Sequence, residues 1–165
     1  MTDPLEKQVR DELKKGRSKK NIFKKLATDE NKEDLDWYLD QYPTDKKRKK
    51  TLWLNYLLIL VIFVVTTKKL YFIALMQLNA ISVNQFTPLL LVELLVPAIN
   101  FYILTKIIRS YRQGYQFAAV LALLALLRPE NRIMPDLIMY VVITTLSVFL
   151  LLHLFPKQEK RENLR

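Results

Sequence analysis

"KKRKKTLWLNYLLILVIFVVTT", residues 46–67, decides how the rest of the chain must be read. Five consecutive basic residues lead, after Thr51, into a run with no charged residue from Leu52 to Thr67. An apolar run of this kind escapes water by entering a bilayer, and a basic cluster beside it stays on the cytosolic side. Trp53 and Tyr56 sit at the entry, where amphipathic rings favour the interface. Residues 52–67 therefore read as a first membrane span.

Further apolar runs follow at residues 88–107, 114–127 and 136–155. Thr87 and Pro88 suit a cap and a first helical residue. Residues 114–127 are short for a span and must tilt, thin the bilayer or borrow residues 111–113. The last run opens after Pro135 and closes before Pro156. Residues 70–83, LYFIALMQLNAISV, are ambiguous, because runs of about 10–14 residues more often lie at an interface or re-enter than cross.

Charge settles the count. With four spans the cytosol holds Lys46–Lys50, then Lys106, Arg109 and Arg112, then Lys157, Lys160, Arg161 and Arg165. The outside holds Lys68, Lys69, Arg128 and Arg132. A fifth span at residues 70–83 would move Lys106, Arg109 and Arg112 outside, against the positive-inside bias. Residues 70–83 are thus expected to form an external interfacial or re-entrant helix, the alternative being that they prolong the first helix. The N-terminal stretch is charged throughout, so a cleavable signal peptide is not expected and the first span serves as the anchor. Both termini are expected in the cytosol.

Ahead of the membrane part, residues 1–50 carry fifteen Lys/Arg and eleven Asp/Glu. Leu5, Val9 and Leu13 form one stripe of a first helix, with Thr2 or Asp3 as cap and Gly16 at the exit. Ser18 caps a second helix bearing Ile22, Phe23 and Leu26. Thr28 or Asp29 starts a third, whose apolar members are Leu35, Trp37, Tyr38, Leu39 and Tyr42, ended by Pro43. A core this small is marginal alone and should lean on the membrane, the bundle or a partner. The second helix is basic and the third acidic, so their faces are expected to neutralise one another. Two other readings stand beside that one. A protein-docking surface fits the amphipathic, charge-segregated hairpin. A helix-turn-helix centred on GRSKKNIFKKL is disfavoured, because the acidic helix beside it would repel phosphate; nucleic acid is not expected as a partner.

The expected fold is all-α: a polytopic membrane protein with four transmembrane helices, a small cytosolic helical head and a short external interfacial or re-entrant helix. Its parts are a head over residues 1–45, a polybasic linker over 46–51, a transmembrane domain over 52–156 and a basic cytosolic tail over 157–165. The stretches ELKKGRSKKNIFKKL, PAINFYILTKIIRSYRQGYQFAAVLALLALLR and DLIMYVVITTLSVFLLLHLFP resemble a loose group of small, uncharacterised bacterial four-span proteins with a lysine-rich helical hairpin before the membrane part. That resemblance implies a bacterial inner membrane and carries no activity.

Little here speaks of catalysis. With no cysteine there is no disulfide, thiolate metal site or cysteine nucleophile. Two glycines cannot build a phosphate loop, and neither GxSxG nor HExxH occurs. His153 stands alone, whereas a metal site needs several ligands; no metal, cofactor or catalytic residue is expected. Asp136 suits the dipole of the last helix's first turn. Gln77, Asn79, Asn84 and Gln85 read as solvent-facing amides, and Ala118, Ala122 and Ala125 as a close-packing face.

One polar constellation stands out in LLLVELLVPAINFY, residues 89–102. Glu93, Pro97 and Asn100 fall on one helical face within about 60°. That face should turn inward, because an ionised acid facing lipid costs several kcal/mol. Pro97 has no N–H, so the carbonyl of Glu93 loses its helical partner. The expectation is that Glu93 pairs with Arg128 while Asn100 bonds a neighbouring helix around the kink. Lys46, Lys47, Arg48, Lys49 and Lys50 are expected to touch anionic lipid headgroups. Together these readings favour a non-enzymatic membrane accessory protein that contacts lipid and docks a protein in the membrane or cytosol. The alternative is a small transporter or channel subunit using Glu93.

Overall fold

The computed structural model describes residues 3–83 and 88–156. The predicted cap Thr87, the amides Asn84 and Gln85, and the basic tail at 157–165 lie outside the described residues. Every regular element among the described residues is helical.

The head is built from α1 (Pro4–Lys14), α2 (Lys19–Leu26) and α3 (Lys32–Gln41). Asp3 caps α1, its Oδ1 accepting from the Leu5 amide at 2.9 Å. Gly16, at φ 76°, takes the left-handed exit that α1 needs, with its amide donating to the Leu13 carbonyl. Ser18 Oγ accepts from the Asn21 amide and starts α2. The third helix begins later than predicted. The Asn31 side chain accepts from the Thr28 amide at 2.8 Å and donates to the Leu26 carbonyl at 3.1 Å, holding residues 28–31 in a turn.

Val9, Leu13, Ile22, Leu35, Leu39 and Tyr42 form the head's core. One further member, Tyr111, comes from the distant turn after residue 109. Among the head's charges, Glu12 is buried and gathers Lys15, Arg17 and Lys25, with Arg17 at 2.6 Å. The hydrogen bond from Lys25, reinforced by Lys15 and Arg17, holds its carboxyl below the usual glutamate range. Thus α2 is tied electrostatically to α1, while Lys19 reaches α3 by donating to the Leu39 carbonyl. Trp37, expected in the core, is 47 % exposed.

The polybasic linker is itself a helix, α4 (Asp45–Lys50), joined through Thr51 to α5 (Leu52–Ser82). Helix α5 runs for 31 residues without a break. Residues 70–83 are therefore not a separate external or re-entrant helix; almost all of them prolong the first one. The physical reason is plain in the sequence: no proline or glycine interrupts residues 52–83.

The second apolar run opens as a 3-10 segment, Pro88–Leu94, and becomes α-helical only in α6 (Leu95–Ile108). Helix α7 (Arg112–Ala125) follows a tight turn, and a second 3-10 segment (Pro129–Arg132) leads into α8 (Asp136–Leu154). Helices α5, α6, α7 and α8 pack each on the next, and α8 returns to α5, closing a four-helix ring. The ring's core includes Leu58, Ile62, Ile103, Ile107, Tyr115 and Leu150.

Among the described residues three helical stretches, not four, are long and apolar enough to cross a membrane: Leu52–Ser82, Leu91–Ile108 and Asp136–Leu154. Helix α7 has 14 residues. At about 1.5 Å per residue it reaches about 21 Å, short of a hydrocarbon core of about 30 Å. Its first turn is drawn towards the head instead, since Tyr111 is committed to that core.

The turn between α6 and α7 positions everything above it. Ser110 adopts φ 59°, and the amides of Ser110 and Tyr111 close back onto the carbonyls of Ile107 and Lys106 at 2.8 and 2.9 Å. A Cβ on Gly114 would lie 2.9 Å from both the Ile107 nitrogen and the Lys106 Cβ. The glycine thus lets α7 cross directly on the backbone of α6.

Candidate functional site

Two polar contacts staple the ring internally. Near the head, the Tyr115 hydroxyl donates to Asn55 Oδ1 at 2.8 Å. Farther along, Asn100 Nδ2 donates to Thr66 Oγ1 at 3.1 Å, while the Thr66 hydroxyl donates to the Ile62 carbonyl at 2.7 Å. Thr66 is fully buried. The bond from Asn100 therefore satisfies a second lone pair in a place that water does not reach.

From the Gly114 crossing, α6 and α7 enclose a wedge-shaped cavity of about 210 Å³ with α5 and α8. Its walls are apolar apart from Asn100 on α6 and a polar end formed by Lys69, Arg128, Asn131 and Tyr140. Ala118, Ala122 and Ala125 make one wall. The alanine face read as close packing thus also borders space. Ile99 and Leu124 line the cavity and are 44 % and 51 % exposed, so the wedge is not sealed between α6 and α7.

The polar end continues into a wider cleft of about 400 Å³. Six charged residues line it: Lys68 and Lys69 from α5, Glu93 from the 3-10 segment, Arg128 and Glu130 from the α7–α8 connection, and Asp136 from α8. Two pairs close on themselves. Lys68 binds Asp136, and Arg128 binds Glu130 at 3.3 Å. No ion pair within 4.0 Å joins Glu93 or Lys69 to any described residue.

The predicted Glu93–Arg128 pair is therefore not formed. Chain geometry explains this. Helix α7 ends at Ala125, and Arg128 adopts an extended backbone at φ −74°, ψ 127°, which turns it to Glu130 two residues on. Glu93 does not share an inward face with Pro97 and Asn100 either. The 3-10 winding before residue 95 changes the angular register, so Glu93 is exposed at the rim, Pro97 is buried and Asn100 half-buried. Asp136 lies in the first turn of α8, where the helix dipole favours an acid, and it also binds Lys68.

A second polar site lies at the opposite end, between head and ring. The hydroxyls of Tyr42 and Tyr111 both donate to the buried carboxylate oxygen Oε1 of Glu6. Their rings lie 4.7 Å apart, with Arg10 over Tyr42 and Lys106 over Tyr111. Burial, with the hydrogen bond to Glu6, pushes both phenols up from the usual tyrosine value. The sequence marks Tyr111 only as an aromatic residue beside a basic loop. Exposed on α4 are Lys46, Arg48, Lys49 and Lys50, while Lys47 is half-buried and Lys49 pairs with Asp45 at 2.8 Å. His153 is exposed and stacks on Phe149.

No family model, curated protein or solved structure matches the chain.

Proposed function

We propose that this chain is a non-enzymatic accessory protein of a bacterial inner membrane. It passes the bilayer four times with both termini in the cytosol, and its head presents a docking surface for a protein partner. The observation that carries the reading is Tyr111 in the head's core. A head whose core is completed by the ring is held in one orientation against it, as a docking platform must be. The α4 cluster lies between head and ring, where its exposed lysines meet anionic headgroups. The short α7 crosses where the bilayer thins around it, extended at its far end by Leu126 and Leu127.

The face offered to the partner is that of Glu33, Asp34 and Trp37 on α3, all exposed. An exposed tryptophan ringed by acids suits a basic partner with an apolar anchor pocket. Affinity purification of the full chain from native membranes tests the idea. A partner should co-purify in fixed ratio, and W37A together with E33K should lose it while leaving the melting temperature within a few degrees. Recovery of the same partner with the double variant removes this surface from the reading.

The cleft supports a second reading, a small transporter or channel subunit using Glu93. Its basis is an exposed carboxylate facing Lys69 across a charged cleft. Reconstitution alone in liposomes decides it: a proton or cation flux that Glu93→Gln abolishes favours this reading, and a silent wild-type protein removes it.

A further inference from the structure

The wedge and the cleft form one continuous space with opposite chemistries at its two ends. The wedge is apolar and is not sealed at Ile99 and Leu124. The cleft carries three cations and three acids, so it has no net charge. Lys69 lines both spaces and stands where they meet. We propose that this space holds one zwitterionic glycerophospholipid with a primary-ammonium headgroup. One acyl chain lies in the wedge, the phosphate meets Lys69 and Arg128, and the ammonium meets Glu93 and Glu130.

Size comes first. A dry apolar cavity of about 150 Å³ takes a benzene ring, and the wedge at about 210 Å³ takes a segment of alkyl chain. Access comes second. A chain that lies in the bilayer enters sideways between α6 and α7, without passing through water. Headgroup charge comes third. A purely anionic lipid would bring net negative charge to a cleft whose own charges already cancel, and would offer no cation to Glu93. A zwitterion presents both signs to a rim that presents both signs. Lys68–Asp136 and Arg128–Glu130 are already paired, which leaves Lys69 and Glu93 as the two opposite charges without an ion pair to described residues. A primary ammonium donates hydrogen bonds to carboxylates, and a quaternary ammonium has no N–H to donate.

The proposal rests on the reading of the ring as membrane-embedded and is independent of the head's docking role. Alkaline carbonate extraction of native membranes therefore comes first. Release of the full-length chain into the soluble fraction overturns the membrane reading and this proposal together. For protein that stays in the pellet, the purified chain is stripped in detergent. It is then offered phosphatidylethanolamine, phosphatidylcholine or phosphatidylglycerol of matched chains, and retained lipid is counted by native mass spectrometry. The expected result is one phosphatidylethanolamine per chain, retained about tenfold over the other two. Lys69→Met with Glu93→Gln should erase the preference. Leu124→Trp, placed on the exposed portal and so harmless to the core, should lower retention of all three lipids. Equal or better retention of phosphatidylglycerol overturns the zwitterionic site. Retention untouched by Leu124→Trp, or no bound lipid in a well-folded protein, overturns the wedge as its seat.

Discussion

The hydroxyl of Tyr111, in the turn between α6 and α7, donates to the buried carboxylate of Glu6 in the first helix of the head. Head and ring are thereby fixed to one another through a charged hydrogen bond away from solvent. Such a bond contributes about 1.5–3 kcal/mol, more than a neutral one. Tyr111→Phe keeps the ring contact and removes the donor, so it should lower stability by about 1–3 kcal/mol. Hydrogen exchange should then rise in α1 and α3 but not in α8. Unchanged exchange in α1 would show that packing alone holds the head.

The same cluster predicts an alkaline limit. Both Tyr42 and Tyr111 bind their protons more tightly folded than unfolded. Their contribution is complete below the usual tyrosine value of 10.0 and is lost as pH rises beyond it. Denaturation monitored between pH 9 and 11 should show the head loosening first, and Tyr42→Phe should flatten that slope.

Glu12 predicts the opposite slope at the acid end. Its carboxyl titrates below the usual 4.5 because Lys25, Lys15 and Arg17 favour the ionised form. Its contribution is present above 4.5 and is lost as pH falls through the lowered folded value. Glu12→Gln should remove part of the acid sensitivity of the head, read as the change in melting temperature between pH 6 and 3.

Gly114 and Gly16 should fail for different reasons when replaced by alanine. At Gly114 the new methyl meets backbone at 2.9 Å, so α6 and α7 must part, at about 1–3 kcal/mol. At Gly16 nothing lies within 4 Å, and only the left-handed backbone is strained, at about 1–2 kcal/mol. Melting in detergent should place both costs. Cross-linking between residues 103 and 118 should respond to Gly114→Ala alone.

Two charge-swap cycles should give contrasting answers. Lys68→Asp with Asp136→Lys should recover about 1 kcal/mol relative to the sum of the single variants, because the two groups touch and are each about two-thirds shielded. Glu93→Arg with Arg128→Glu should recover no more than about 0.5 kcal/mol, because these groups share a cleft but no contact.

The sequence made some of this architecture legible and concealed the rest, for identifiable reasons. Local chemistry was readable: Asp3, Ser18 and Gly16 occupy the capping roles their types suggest. The beginnings of the apolar helices at Leu52 and Asp136 were equally plain. The extent of α5 is hidden because Lys68 and Lys69 split its apolar pattern into two short runs, whereas charge does not end a helix that has no breaker. Pro97 leaves the Glu93 carbonyl without an α-helical donor near the point where the 3-10 segment gives way to α6. Partnerships across long separations were invisible. Lys68 meets Asp136, and Tyr111 meets Glu6, through the folding of the ring, and no spacing rule connects them.

Glu6 and Tyr111 are separated by 105 positions along the chain. During synthesis α1 therefore clears the ribosome well before the residue that completes its surroundings has been made. The three head helices wait as a nascent, half-finished core while α6 and α7 are still being made. Only then does Tyr111 arrive to close over Glu6. The element translated earliest among those described is thus among the last to mature, and a stalled or misfolded α6 leaves it exposed to quality control.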